Sequence, residues 1–140
     1  MKQHYRKVFA VDDDPDDREL IREAFEEANP ANTVLELLPN GELLLETLRN
    51  ASREEYPSLI LLDLNMPGKD GKSILTELKS SELFAHIPVI VLTTSSSEKD
   101  RDNCYDYGAN CFVTKPSQFN QMVDLIRSLA FLWLPQRVYF

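Results

Sequence analysis

At 140 residues and 43% hydrophobic content, the chain is the size of one domain whose core needs neither disulfides nor a structural metal. With 15 basic and 23 acidic residues the net charge is −8 and the pI near 4.7, and Lys and Arg form no run, which argues against a general nucleic-acid surface and for protein or small-molecule partners. The basic start Met1 to Lys7 leads into only a short apolar run, which fits neither a signal peptide nor a membrane span, so no membrane association and a cytoplasmic location are expected.

Val8 to Val11 is a short continuous apolar run that ends in acid, Asp12-Asp13-Asp14-Pro15-Asp16-Asp17. A strand buried on both faces has this pattern. Leu20, Ile21, Ala24, Phe25 and Ala28 then recur at helical spacing, Asp16 and Asp17 suit the positive N-terminal end of that helix, and Asn29-Pro30 stops it. Thr33 to Leu38 leans towards strand, Pro39-Asn40-Gly41 turns the chain, and Leu44, Leu45 and Leu48 mark a second helix. The polar segment Asn50 to Tyr56 links it to Leu59-Ile60-Leu61-Leu62, a third buried strand, which ends abruptly in Asp63 and the Pro/Gly-punctuated loop Leu64 to Gly71.

Ile74, Leu75 and Leu78 mark a third helix, and Pro88-Val89-Ile90-Val91-Leu92 a fourth strand running into five hydroxyl residues, Thr93 to Ser97. Ser97 is the candidate cap of a helix from Glu98 to Tyr107, which is poorly amphipathic, is expected to be weakly anchored, and ends at Gly108. Asn110 to Thr114 reads as a fifth strand ending in Lys115-Pro116. The last helix, from about Ser117, carries Phe119, Met122, Val123, Ile126 and Ala130 on one face, and Leu125, Leu129, Leu132 and Trp133 widen that stripe beyond what one sheet face needs. Cys104 and Cys111 lack metal or redox spacing and read as two reduced thiols, while His4 and His86 have no acid or nucleophile beside them in sequence.

Five repeats of strand and helix predict an α/β fold: a five-stranded parallel sheet with helices on both faces, flavodoxin-like (β/α)5, in the order 2-1-3-4-5. That order gathers Asp12 and Asp13 from strand one, Asp63 from strand three, Thr93 from strand four and Lys115 from strand five at one sheet edge. Neighbouring carboxylates repel by a few kcal/mol at an effective dielectric of about 20, and a divalent cation offsets this. Mg²⁺ prefers oxygen ligands, so the carboxylates, a loop carbonyl such as that of Asn65 and a phosphoryl oxygen suit it. With phosphate as substrate, Asp63 is the candidate nucleophile, Thr93 a hydroxyl donor and Lys115 a compact cation for a phosphoryl oxygen. Each piece alone has a plainer account, a solvated acidic loop or a strand-end Thr. Their convergence is what carries weight.

With these residues in place the sequence resembles the receiver domains of two-component response regulators, most closely the stand-alone, chemotaxis-regulator-like kind. The match rests on Val11-Asp12-Asp13-Asp14, Leu61 to Pro67, Asp70-Gly71, Pro88 to Thr93, Gly108-Ala109 and Lys115-Pro116. It implies one receiver domain over residues 1–140, with a core at about 6–130 and an apolar extension at about 131–140. It further implies that Asp63 accepts a phosphoryl group from a sensor histidine kinase or a histidine phosphotransfer protein. Mg²⁺ would be held by Asp13 directly, by Asp12 mainly through water, by Asp63 and by the Asn65 backbone carbonyl. Phe112 falls at the aromatic switch position, moving with Thr93 to reshape the face built from helices and strands four and five. Asn65 and Ser95 occupy positions that tune dephosphorylation, Thr94 a position controlling phosphoryl access, and the Lys115-Pro116 peptide is expected to be cis.

Ser117 stands where many relatives carry an apolar residue. With no output domain in the chain, output is expected through a protein contact. The acidic linker before strand three and Phe131-Leu132-Trp133-Leu134 resemble the subgroup paired with phytochrome-type histidine kinases, in which the last helix and tail support homodimers. Two other classes compete. A haloacid-dehalogenase-like phosphohydrolase would use Asp12 of Asp12-Asp13-Asp14 as nucleophile, but Asp16 stands where that motif usually has Thr or Val, and little chain remains for a cap domain. A pseudo-receiver typically lacks one of the reactive set, and here all are present.

Overall fold

In the computed structural model, which describes residues 5–64, 71–94 and 98–134, strand and helix alternate along the chain. The order is β1 (Arg6–Val11), α1 (Pro15–Ala28), β2 (Thr33–Leu38), α2 (Gly41–Asn50), a 3-10 turn (Arg53–Glu55), β3 (Leu59–Asp63), α3 (Gly71–Ser80), β4 (Val89–Thr93), α4 (Glu98–Asp106), β5 (Cys111–Thr114) and α5 (Phe119–Trp133). All strand pairs are parallel and the sheet order is β2-β1-β3-β4-β5, as the alternation predicts.

Every residue of β3 and β4 is buried, because helices cover both faces of the sheet centre. Alternate residues of one strand enter different cores. Phe9, Val11, Ile60, Leu62, Val89 and Val91 join Leu44, Leu45 and Leu48 of α2 and Ile74, Leu75 and Leu78 of α3. Val8, Ala10, Leu59, Leu61, Ile90 and Leu92 join Ile21, Ala24 and Phe25 of α1 and Met122, Val123, Ile126 and Leu129 of α5. The edge strand β2 exposes Val34 and Glu36 and turns Leu35 and Leu37 towards the second core, the period-2 pattern of a half-covered strand.

Helix ends follow local chemistry. Asp14 caps α1 by accepting from the Asp16 backbone N–H at 2.9 Å, Pro15 opens the helix, and Asn29 ends it in the left-handed region at φ 44°. Asn40 caps α2 through the Leu43 N–H at 2.7 Å. The weak amphipathicity of α4 holds in the fold: Cys104 is its one buried residue, and Tyr105 is exposed. Ser97, its expected cap, lies outside the described residues. Both cysteines are free thiols, and burial raises the Cys104 thiol above its ordinary range.

Several boundaries differ from the sequence reading by one or two residues, with β1 starting at Arg6 and β4 running from Val89 to Thr93. β5 starts at Cys111 because Asn110 turns its side chain to the neighbouring strand, its Oδ1 accepting from the Val89 N–H at 2.9 Å. α4 stops at Asp106 and α5 starts at Phe119. A further difference is the Lys115–Pro116 peptide, which is trans rather than cis, no cis bond occurring among the described residues. Trans is the lower-energy isomer of an X–Pro bond by about 0.5–1 kcal/mol. No helix among the described residues is long and apolar enough to cross a membrane.

Candidate functional site

The carboxyl edge of the sheet brings Asp12, Asp13, Asp63 and Lys115 together. Asp12 follows β1 directly, its N–H donating to Leu38 O at 3.1 Å, so pairing of β1 with β2 continues into the acidic turn. Asp63 is the last residue of β3, in register with Leu92 of β4, and the Lys115 N–H donates to Thr93 O at 2.6 Å. The end of β1 therefore holds Asp12 and Asp13, the end of β3 holds Asp63, and the end of β5 holds the ammonium that faces Asp12 and Asp63.

Lys115 Nζ lies 2.6 Å from Asp12 Oδ2, 3.0 Å from Asp17 Oδ2 and 3.4 Å from Asp63 Oδ2. Side-chain exposure is 5% for Lys115, 2% for Asp12 and 8% for Asp63, against 32% for Asp17. Burial alone pushes the Lys115 ammonium down. The hydrogen bonds to Asp12 and Asp17 and the charge of Asp63 outweigh it and hold the group above its ordinary range. Burial raises the Asp12 carboxyl, while Lys115 and the Asp14 N–H, which donates to Asp12 Oδ1 at 3.0 Å, pull it back.

One carboxylate oxygen each from Asp12, Asp13 and Asp63 can be chosen so that all lie within 4.8 Å of one another, with Asp12 and Asp63 buried and Asp13 exposed to solvent. These are hard oxygen donors with an open side, which fits an ion such as Mg²⁺ that keeps several waters. Among the described residues one lysine faces these three carboxylates, which leaves the group net negative.

The remaining expected residues sort by position. Thr93 is fully buried at the end of β4, next to the register partner of Asp63, and Thr94 beyond it is exposed. Phe112 is half-buried on β5 and packs against the core of α2 and α3 rather than entering the acidic cluster. Asn65 and Ser95 lie outside the described residues. His86 is exposed and away from this edge, in the turn before β4, and His4 lies outside the described residues.

Three further residues build this edge. Asp17 has in sequence only the mark of a helix-end acid, yet it reaches Lys115. Arg18 Nη1 donates to Asp12 O at 2.8 Å and ties α1 to the end of β1. Gly71 opens α3 directly against the end of β3: a Cβ there would stand 2.6 Å from Leu64 Cα and 2.8 Å from Asp63 O, so only glycine permits this approach. The acidic run flagged Asp17, but no local pattern links it to a lysine 98 positions away.

Comparison with known proteins gives a consistent picture. A family model described as the response regulator receiver domain matches residues 8–127. Response regulator Rcp1 of Synechocystis sp. is 32% identical over 130 residues, covering 91% of this chain and 88% of its own length. The structure of the Mn²⁺-bound form of Rcp1 is similar with a TM-score of 0.80 and 30% identity, covering 96% of this chain and 99% of that one. That of the phosphorylated cyanobacterial phytochrome response regulator RcpA has a TM-score of 0.84 and 35% identity, covering 96% and 97%.

Proposed function

This chain belongs to the response regulator receiver domain family, and on that footing we propose that Asp63 accepts a phosphoryl group from the phosphohistidine of a sensor kinase or phosphotransfer protein. The observation that carries this reading is the Lys115 ammonium, 3.4 Å from Asp63 Oδ2 beside the Asp12, Asp13 and Asp63 carboxylates. In the proposed step an Asp63 carboxylate oxygen attacks phosphorus in line. The O–P bond forms as the N–P bond breaks, and the bonding pair stays on the imidazole. Lys115 receives one phosphoryl oxygen as a charge-assisted donor, and the Thr93 hydroxyl donates to another.

Asp12, Asp13 and Asp63, with the Asn65 carbonyl that the family resemblance adds, would hold Mg²⁺. When bound, such an ion supplies charge neutralisation between the acceptor and the phosphoryl oxygens. The similarity to a Mn²⁺-bound relative supports a divalent cation at this edge. Thr94, Ser95 and Asn65 are proposed to tune access and lifetime, and Phe112 to couple the site to the face of α4, β5 and α5. The test is intact-mass analysis with Mg²⁺ and acetyl phosphate: an adduct in the wild type that Asp63→Asn lacks supports the reading, and an adduct retained by Asp63→Asn overturns it.

The similarity to a phytochrome response regulator supports a phytochrome-type histidine kinase as the donor. Phe131 and Leu132, 82% and 67% exposed at the end of α5, support a homodimer through this helix and the residues after it. Sedimentation with and without beryllofluoride tests the contact. A dimer that Leu132→Glu dissociates is expected, and a wild-type monomer under both conditions contradicts it.

A further inference from the structure

The three acceptors of the Lys115 ammonium are not equivalent. Asp12 and Asp63 belong to the group whose oxygens lie within 4.8 Å of one another and suit a cation, and Asp17 does not. Lys115 thus shares two of its carboxylates with any ion bound there. A divalent ion on Asp12 and Asp63 competes with the ammonium for their oxygens and repels it. Without a third acceptor outside the ion's reach, the lysine would lose the partners that keep it beside Asp63.

We propose that Asp17 is that acceptor: a positioning residue that retains the Lys115 ammonium beside Asp63 when Asp12 and Asp63 are committed to a cation. The inference rests on Asp63 being the phosphoacceptor. Asp17 suits the task in three respects. Its carboxylate is already 3.0 Å from Lys115 Nζ. It stands in the first turn of α1, where a negative charge is favourable and the backbone is fixed by the Asp14 cap, Pro15 and the Arg18 bond to Asp12 O. Its side chain is 32% exposed, so holding the ammonium there requires little further burial of the carboxylate, whereas Lys115 at 5% has few other partners to turn to. Asp16 is the natural control, since it shares the first turn and the charge and no hydrogen bond or ion pair joins it to Lys115.

Two readouts test the assignment. The first is the ¹H–¹⁵N spectrum of lysine ammonium groups, in which only an ammonium held by acceptors is protected enough to be seen, with the Lys115 signal identified by its absence in Lys115→Arg. In excess Mg²⁺ the signal persists in the wild type and in Asp16→Asn and disappears in Asp17→Asn. A signal that Mg²⁺ abolishes in the wild type, that is absent from the wild type altogether, or that survives in Asp17→Asn overturns the proposal.

The second is the rate of adduct formation from acetyl phosphate at saturating Mg²⁺. Asp17→Asn slows it by about five- to ten-fold, the scale of one charge-assisted contact, and Asp16→Asn changes it by less than about two-fold. In a Lys115→Ala background, Asp17→Asn has no further effect. An equal loss in both backgrounds, or no loss in either, contradicts the proposal. Absence of any adduct in the wild type would instead sink the phosphoacceptor reading, and the ammonium signal would still decide the role of Asp17.

Discussion

Lys115 and Asp12 meet at 2.6 Å with 5% and 2% of their side chains exposed, an ion pair formed between residues at opposite ends of the chain. The same ammonium faces Asp63, so one lysine is shared between the two buried carboxylates of the acidic cluster and offsets only part of their charge.

Removing that lysine is expected to leave the carboxylates uncompensated. Lys115→Met should lower metal-free stability by about 3 kcal/mol, the scale for breaking a buried pair from one side. Mg²⁺ should restore part of the loss, because an ion at 100 times its dissociation constant adds about 2.7 kcal/mol in any receiver that binds it. Urea unfolding with chelator and with Mg²⁺ checks both. A variant as stable as the wild type in chelator, or indifferent to Mg²⁺, would contradict this account of the cluster.

Helix α4 has one buried side chain, yet Tyr105 ties it to the sheet: the Phe112 N–H donates to Tyr105 Oη at 3.2 Å. This bond occupies an N–H of β5, the edge strand of the sheet among the described residues. Tyr105→Phe should cost about 0.5–1 kcal/mol and speed hydrogen exchange at the Phe112 amide more than at β4 amides. Unchanged protection at Phe112 would show that the hydroxyl does not hold α4 to β5.

At the opposite sheet edge, Lys79 Nζ donates to Ala85 O, Ile87 O and Asn110 Oδ1 at 3.1, 2.8 and 3.0 Å, joining α3 to the starts of β4 and β5. Lys79→Met should cost about 1–2 kcal/mol at neutral pH. Burial holds the Lys79 ammonium below its ordinary range, so the folded chain releases this proton at lower pH than the unfolded chain does. Between the two values the unfolded state binds more protons, and the stability contributed by Lys79 rises with pH up to its ordinary value of 10.5. The wild-type minus variant difference in unfolding free energy should therefore grow through the alkaline window. Parallel curves would contradict it.

Much of the fold was legible because its strands are buried on both faces. Runs such as Val8 to Val11 and Leu59 to Leu62 have no competing periodicity, and alternation with helices restricts the sheet to few orders. The convergence of Asp12, Asp63 and Lys115 followed from that order, since each ends a strand on the same edge. What escaped was set by tertiary contact. Asp17 looks like any acid in a first turn until α1 is placed against Lys115. Tyr105 is one of the few large apolar groups of α4, yet the residue is 45% exposed and its hydroxyl accepts from the neighbouring strand. The Arg53–Glu55 turn depends on Glu55 Oε1 accepting from the Ser52 N–H at 2.9 Å, in a segment whose polarity alone reads as linker.

Asp63, and no other carboxylate of the cluster, is expected to carry the phosphoryl group. Borohydride reduces an acyl phosphate to the alcohol at the modified carbon, so treatment of the phosphorylated protein followed by peptide mass mapping reads the position directly. Homoserine is expected at residue 63, dependent on Mg²⁺ and on the phosphodonor. Homoserine at Asp12 or Asp13, or at no residue, would contradict it.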